Sequence, residues 1–136
     1  MRIVLLGMLG AGKGTQAAML SQRLDIAHVA SGVLFRRHQE QGTELGLLVK
    51  RYMEQGDLVP DEITIKMILD HISAKDHSRG FILDGFPRTV DQAIALDEAL
   101  RESGIDCVLY LKVGQGELVH RLAGRLICQQ CQTPYH

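Results

Sequence analysis

Short apolar runs alternate with longer stretches of mixed polar and apolar residues along this chain. The apolar runs lie at 2–6, 27–30, 80–84 and 107–111, and their length and composition are typical of buried strands. The mixed stretches predict helices over 15–24, 31–40, 43–55, 89–101 and 117–122, and a further helix that opens at 59–61. Strands that alternate with helices of this length predict an α/β fold with a parallel sheet covered on both faces.

Several residues mark where these elements begin and end. Ser31 is predicted to cap the N-terminus of the helix over 31–40, because a serine hydroxyl can accept a hydrogen bond from a free backbone N–H of the first turn. Gly56 suits the C-terminal end of the helix over 43–55. Pro87 separates the strand over 80–84 from the helix that follows.

Composition narrows the class of protein. With 136 residues, 46% of them hydrophobic and 23% charged, the chain can bury one core of ordinary size. The formal net charge of −1 gives no reason to expect a nucleic-acid or membrane partner, so any bound anion must be held by local groups. The apolar run at 3–6 is too short to span a bilayer. Three cysteines do not make a disulfide framework, and we expect a cytoplasmic protein.

The strongest local signal lies between the first predicted strand and the first predicted helix. It consists of Gly7, Gly10, Ala11, Gly12, Lys13, Gly14 and Thr15. Glycines let successive backbone N–H groups face one concavity, the helix adds the positive end of its dipole, and Lys13 supplies a mobile charge for phosphate. The strict phosphate-loop pattern has Ser or Thr directly after the lysine, whereas Gly14 intervenes here. This weakens a general GTPase or motor interpretation.

The same loop, together with four further motifs in order, resembles the adenylate kinases. The further motifs are Ser31-Gly32 with Arg36, the segments 42–46 and 56–62, the segment 80–88 with Gln92, and the segment 121–125. The resemblance implies a P-loop NTPase-type parallel sheet with a small helical insertion that binds the nucleoside monophosphate. It divides the chain into a core at 1–30 and 61–125, an AMP-binding insertion at 31–60 and the start of a lid at 126–136.

The resemblance also implies roles for individual residues. The ATP-binding residues would be Gly10, Ala11, Gly12, Lys13, Gly14, Thr15, Arg121 and Arg125. The AMP-binding residues would be Ser31, Arg36, Leu58, Val59, Gly85, Arg88 and Gln92. Lys13, Arg88, Arg125 and Asp84 would be catalytic, with Asp84 orienting hydrated Mg²⁺. Arginines suit this chemistry because a guanidinium stays charged and grips phosphate oxygens in pairs.

The implied reaction is ATP + AMP to two ADP with Mg²⁺, carried out by a monomer whose lid and insertion close over the substrates. Two alternatives stay open. One is a kinase for another nucleoside monophosphate, although Gln92 and the segment 58–59 favour AMP. The other is a catalytically impaired nucleotide-binding fragment. Taken singly, each arginine has the alternative of a solvated surface charge, Asp84 that of a turn cap, and Gln92 that of an exposed helical residue.

The chain departs from the family pattern at several positions. Val33 stands where an acid usually helps to hold metal-bound water, so Asp84 lacks a partner there. Met8 and Leu9 stand where proline is frequent, and Leu126 where a second arginine is common. We also expect the C-terminal part of the fold, with the rest of the lid, to be missing, which would leave one sheet edge uncovered.

The cysteines give a weaker signal. Cys128 and Cys131 have the spacing of half a four-cysteine zinc site, and their place in the lid favours a structural zinc in a longer protein. Chance or redox use is the alternative, and His136 is a candidate third ligand. Cys107, within an apolar strand, is predicted to be a core residue.

Overall fold

The computed structural model describes residues 1–74, 77–130 and 134–135. Within these ranges the elements are β1 Arg2–Gly7, α1 Lys13–Leu24, β2 Ala27–Ala30, α2 Ser31–Glu40, α3 Glu44–Gln55, α4 Asp61–Ala74, β3 Phe81–Asp84, α5 Val90–Ala99, β4 Cys107–Leu111, α6 Gln115–Ala123, β5 Leu126–Ile127 and β6 Pro134–Tyr135. The elements from β1 to α6 match the predicted strands and helices, and their bounds differ from the predicted ones by a few residues at most. β5 and β6 have no counterpart among the predicted elements.

The first four strands form one parallel sheet in the order β2-β3-β1-β4. The register pairs Ile3 with Ile82 of β3 on one side and with Cys107 of β4 on the other. The predicted α/β fold with a parallel sheet is therefore confirmed. Because parallel strands end at the same edge, the residues that follow β1, β2 and β3 meet there. The short β5 and β6 form a separate antiparallel pair.

The core lies on both faces of the sheet. Along β1, Ile3 and Leu5 join a cluster with Ala17 of α1, while Val4 between them joins the larger cluster under α4 and α5. This alternation follows from the two-residue period of a strand, and a fully buried aliphatic side chain contributes roughly 1.5–3 kcal/mol. The predicted core residue Cys107 is half-buried and packs against the smaller cluster. It starts β4, an edge strand in which Val108 and Tyr110 are exposed.

One predicted cap is wrong. Ala30 takes the N-cap position of α2, where no side chain makes the capping hydrogen bond, and Ser31 is the first helical residue. The Ser31 hydroxyl instead donates to the Gly85 carbonyl oxygen at 3.0 Å. Ser31 therefore bonds to the residue that follows β3 and not to a backbone N–H of its own helix. Gly56 ends α3 in the left-handed conformation as predicted, with φ at 74°.

The contact between α2 and α3 requires a glycine at position 46. A Cβ at this buried position would lie against the carbonyl oxygen of His38, far inside van der Waals contact. Gly46→Ala is therefore expected to lower the free energy of unfolding in urea by about 2 kcal/mol or more. Gly116→Ala in α6 is the matched control, since a Cβ there has no neighbour within 4 Å. A urea midpoint for Gly46→Ala equal to that of the unmodified chain would contradict this packing.

Candidate functional site

The loop at 8–12 joins the C-terminal end of β1 to the first turn of α1. Gly12 is the N-cap of α1 in the left-handed conformation, with φ at 92°, and no side chain caps the helix. A residue with a Cβ would be strained at this φ. The first N–H groups of α1 therefore point out of the helix end without a side-chain partner, which suits an anion.

Lys13, the first residue of α1, folds back over this loop. Its Nζ donates to the carbonyl oxygens of Gly7 at 2.9 Å and Met8 at 3.1 Å. Partial burial lowers the pKa of Lys13 from its ordinary 10.5; Asp84 opposes this shift, and the positive charges of Arg88 and Arg125 add to it. The other three residues predicted to be catalytic thus lie close enough to Lys13 to influence its pKa.

The lowered pKa of Lys13 predicts how stability depends on pH. From the folded-state pKa up to 10.5, the unfolded chain binds more protons than the folded chain, so the free energy of unfolding rises with pH. Lys13→Met lacks this contribution. Urea denaturation from neutral pH to pH 10.5 is expected to show the unmodified chain gaining stability relative to Lys13→Met. A difference between the two proteins that stays constant over this range would contradict the assignment.

Asp84 ends β3 beside the start of α1. Its Oδ2 lies 3.3 Å from Nε2 of His28, a residue of the neighbouring β2 that sequence reasoning missed. The same oxygen is 3.5 Å from the position that a Cβ on Gly14 would occupy, so the carboxylate faces the phosphate loop. With its side chain only 14% exposed and in contact with His28, the Asp84 carboxylate is held at the sheet edge and is not solvated.

Gly85 brings Ser31 and Arg88 together. Its carbonyl oxygen accepts hydrogen bonds from Oγ of Ser31 at 3.0 Å and from Nε of Arg88 at 2.8 Å. The φ of Gly85 is 81°, and a Cβ would lie 2.7 Å from the Ser31 Oγ. Glycine is therefore required for this approach. Nη1 of Arg36 lies 3.4 Å from where a Cβ on Gly32 would be, one residue beyond Ser31.

Two cavities flank these residues. One, of about 310 Å³, has walls that include Ser31, Leu58, Val59, Gly85, Arg88 and Gln92. These are the residues predicted for AMP, except for Arg36, which lies next to the wall residue Gly32. The other cavity, of about 560 Å³, reaches Ala11, Gly12, Thr15 and Arg121 from the residues predicted for ATP.

The sequence as a whole matches a known family. Residues 5–132 match the family described as adenylate kinase. The chain belongs to the adenylate kinase family. It is 52% identical over 135 residues to the adenylate kinase of Dehalococcoides mccartyi, a match that covers 98% of this chain and 62% of that protein. It is 56% identical over 131 residues to that of Streptomyces avermitilis, covering 95% of this chain and 60% of that protein.

A third relative extends the comparison. The adenylate kinase of Methanocella arvoryzae is 49% identical over 138 aligned positions, which cover 100% of this chain and 64% of that protein. The chain thus spans less than two thirds of the length of these relatives, from 60% to 64%. The family resemblance drawn from the motifs is confirmed. The division of the chain into core, insertion and lid stays a prediction, as do the roles of the individual residues.

Gln92, one of the residues predicted to bind AMP, is buried, with only 3% of its surface exposed. Its Nε2 donates to Oδ1 of Asp61 at 2.6 Å, and its Oε1 accepts from the backbone N–H of Arg88 at 2.7 Å. The Thr89 hydroxyl donates to the other oxygen of Asp61 at 2.6 Å. Sequence reasoning missed Asp61, because an acid in the first turn of a helix is ordinary and nothing local indicates partners in α5.

The two arginines predicted to bind ATP differ in their surroundings. Nε of Arg121 donates to Oε1 of Glu117 one turn earlier in α6, at 2.6 Å, while its Nη1 lies 4.0 Å from where a Cβ on Gly12 would be. Arg121 therefore already reaches the phosphate loop. Arg125 follows α6 and is exposed, but its charge contributes to the lowered pKa of Lys13.

The residues around Asp84 are compatible with magnesium. Mg²⁺ in phosphoryl-transfer sites keeps several waters and is held through one or two carboxylates and the substrate phosphates. Asp84 supplies one carboxylate beside the loop, while Val33 on α2 is 53% exposed and brings none. Throughout 1–74, 77–130 and 134–135, no three His, Cys, Asp or Glu side chains are grouped to hold a metal by themselves. The donor set therefore fits a cation that takes most of its ligands from water and phosphate.

The zinc prediction falls largely outside the described residues. Cys128 is half-buried with a free thiol, whereas Cys131 and His136 lie outside those residues. In the parts of the chain that the structure describes, no helix is long and apolar enough to cross a membrane.

Proposed function

We propose that this chain carries the ATP and AMP sites of an adenylate kinase and catalyses the reversible reaction ATP + AMP to two ADP. The observation that carries the proposal is the meeting of Lys13, Asp84 and Arg88 at one sheet edge, where Lys13 is influenced electrostatically by both partners. One adjoining cavity reaches the phosphate loop and the other reaches Arg88. Two nucleotides could therefore approach each other with their phosphates at this edge.

On the ATP side, the loop 10–15 would bind the phosphates. The uncapped N–H groups of α1 and the Nζ of Lys13 would bind the outer phosphates, and Lys13 would exchange its two carbonyl partners for phosphate oxygens. Arg121 and Arg125 would stabilise the charge on the transferred group. Partial burial of Lys13 makes its charge effective, because water screens it less there.

On the AMP side, Arg88 and Arg36 would hold the phosphate, and Ser31 would contact AMP. Leu58 and Val59 would line the adenine and ribose pocket, where Gln92 reads the edge of the base. An AMP phosphate oxygen then attacks the γ-phosphorus of ATP, the bond from that phosphorus to the β,γ-bridging oxygen breaks, and the leaving ADP keeps the electron pair. A phosphate dianion needs no general base, so the chain acts by alignment and charge stabilisation.

Magnesium would be held through water by Asp84 and would neutralise charge on the ATP phosphates. Asp84 is oriented for this by His28 on the neighbouring strand. The proposal also includes the insertion at 31–60 and the start of a lid at 126–136, which would exclude water during transfer. We also propose that the protein is a cytoplasmic monomer. A longer form would hold a structural zinc in its lid.

The test measures ADP formation from ATP with AMP, CMP, UMP or GMP as the acceptor, using the 136-residue chain. The proposal predicts turnover with a preference for AMP. A preference for another acceptor would favour a kinase for that nucleoside monophosphate. ATP binding without any ADP formation would favour a catalytically impaired nucleotide-binding chain.

A further inference from the structure

Gln92 has a partner on each side that fixes the direction of its amide. Nε2 faces Oδ1 of Asp61, and Oε1 faces the backbone N–H of Arg88. Oδ2 of Asp61 is already used by the Thr89 hydroxyl. The amide is buried in the wall of the 310 Å³ cavity. Its hydrogen-bonding pattern is therefore set by the protein before any ligand arrives.

The chemistry of these partners allows only one orientation. A carboxylate accepts hydrogen bonds and a backbone N–H donates them. Turning the amide over would place Oε1 against the Asp61 carboxylate and the NH₂ group against the Arg88 N–H. Two acceptors would then face each other on the Asp61 side, and two donors would face each other on the Arg88 side. The hydrogen bonds on both sides would be lost inside the protein, which is unfavourable.

The fixed orientation leaves Gln92 with one free N–H and one free lone pair on Oε1. A purine with an amino group at C6 offers a donor at that group and an acceptor at N1, which complement the free pair. A 6-oxo purine offers an acceptor at O6 and a donor at N1, and it would need the amide turned over. We propose that Asp61 is a specificity-determining residue that locks the Gln92 amide and so selects 6-amino over 6-oxo purine monophosphates.

This inference rests on the proposed AMP site and adds to it a positioning residue that acts through the Gln92 amide. Asp61 is itself part of the wall of the 310 Å³ cavity. Asp61→Asn keeps the size of the side chain but replaces the acceptor-only group by an amide that can also donate. The Gln92 amide can then turn over, and the one unfavourable contact that remains is its NH₂ group against the backbone N–H of Arg88. The selectivity should fall, while the size of the side chain in the cavity wall stays the same.

The experiment measures the dissociation constants of AMP and inosine 5′-monophosphate, a 6-oxo purine, by calorimetry. Glu62→Gln is the matched control, because it removes the same charge from an exposed neighbour in the first turn of α4. Asp61→Asn is expected to reduce the preference for AMP by about tenfold, the size of one mispaired buried hydrogen bond. Glu62→Gln is expected to leave the preference unchanged.

Because only folded molecules bind, the ratio of the two constants does not depend on the folded fraction. If Asp61→Asn does not fold, Asp61→Ser removes the acceptor-only partner in the same way. A preference for AMP that persists in the Asp61 variant would overturn the inference and leave the AMP site standing. The inference also fails if the unmodified chain does not prefer AMP. A chain that binds no AMP at all would overturn the proposed function as well.

Discussion

Lys13→Ala is expected to lower ADP formation from ATP and AMP by on the order of 10²–10³-fold, the cost of removing one preorganised charge from a transition state. Lys13 is the cation whose Nζ already lies over the phosphate loop, held by the carbonyl oxygens of Gly7 and Met8. Partial burial destabilises the charged form of Lys13 in the free chain. It also strengthens the attraction of this charge for phosphate, because water screens it less. The initial rate at saturating ATP and AMP measures the effect.

Lys66→Ala is the control for the loss of a lysine. Lys66 lies on the exposed side of α4 and pairs with Asp70 at 2.8 Å. An exposed pair of this kind contributes little, and the rate is expected to stay within about twofold of the unmodified chain. Equal rates for Lys13→Ala and Lys66→Ala would remove Lys13 from the mechanism.

Arg88→Gln is expected to lower kcat/KM for AMP by about a hundredfold or more, because two charge-assisted hydrogen bonds to phosphate are lost. The structure places this guanidinium at the cavity wall with its Nε fixed by the Gly85 carbonyl oxygen at 2.8 Å. The remaining N–H groups are thereby aimed from a defined position. Steady-state rates at varied AMP and fixed ATP measure the change.

Arg37→Gln is the control for Arg88→Gln, since Arg37 is an exposed arginine on α2. Its loss should leave kcat/KM for AMP nearly unchanged. ATP affinity should be similar in both variants, because Arg88 lines the 310 Å³ cavity proposed for AMP and not the cavity at the phosphate loop. A fall in ATP affinity with unchanged AMP kinetics in Arg88→Gln would reverse the assignment of the two cavities.

The strands and the phosphate loop could be predicted because their signals are local. An apolar run that ends in glycine indicates β1, and helical spacing after the glycine-rich loop indicates α1, which begins at Lys13, two residues before its predicted start. The family resemblance could be predicted for a different reason. Its motifs lie in order along the chain, and the match over residues 5–132 confirms it.

The failures concern partners that are distant in sequence. Ser31 was predicted as a helix cap, but its hydroxyl bonds to Gly85, 54 positions away. Asp61 carries no local sign of its bonds to Thr89 and Gln92, which lie 28 and 31 positions further along the chain. The sheet edge brings these segments together, and no pattern within one segment contains that information.

The most direct test of the central claim follows the γ-phosphoryl group itself. The 136-residue chain is incubated with AMP and with ATP that carries radioactive phosphorus at the γ position, and the products are separated. We expect label in ADP, formed from AMP, at a rate that depends on Lys13 and Arg88. Label that appears only in inorganic phosphate, or that stays in bound ATP, would contradict it.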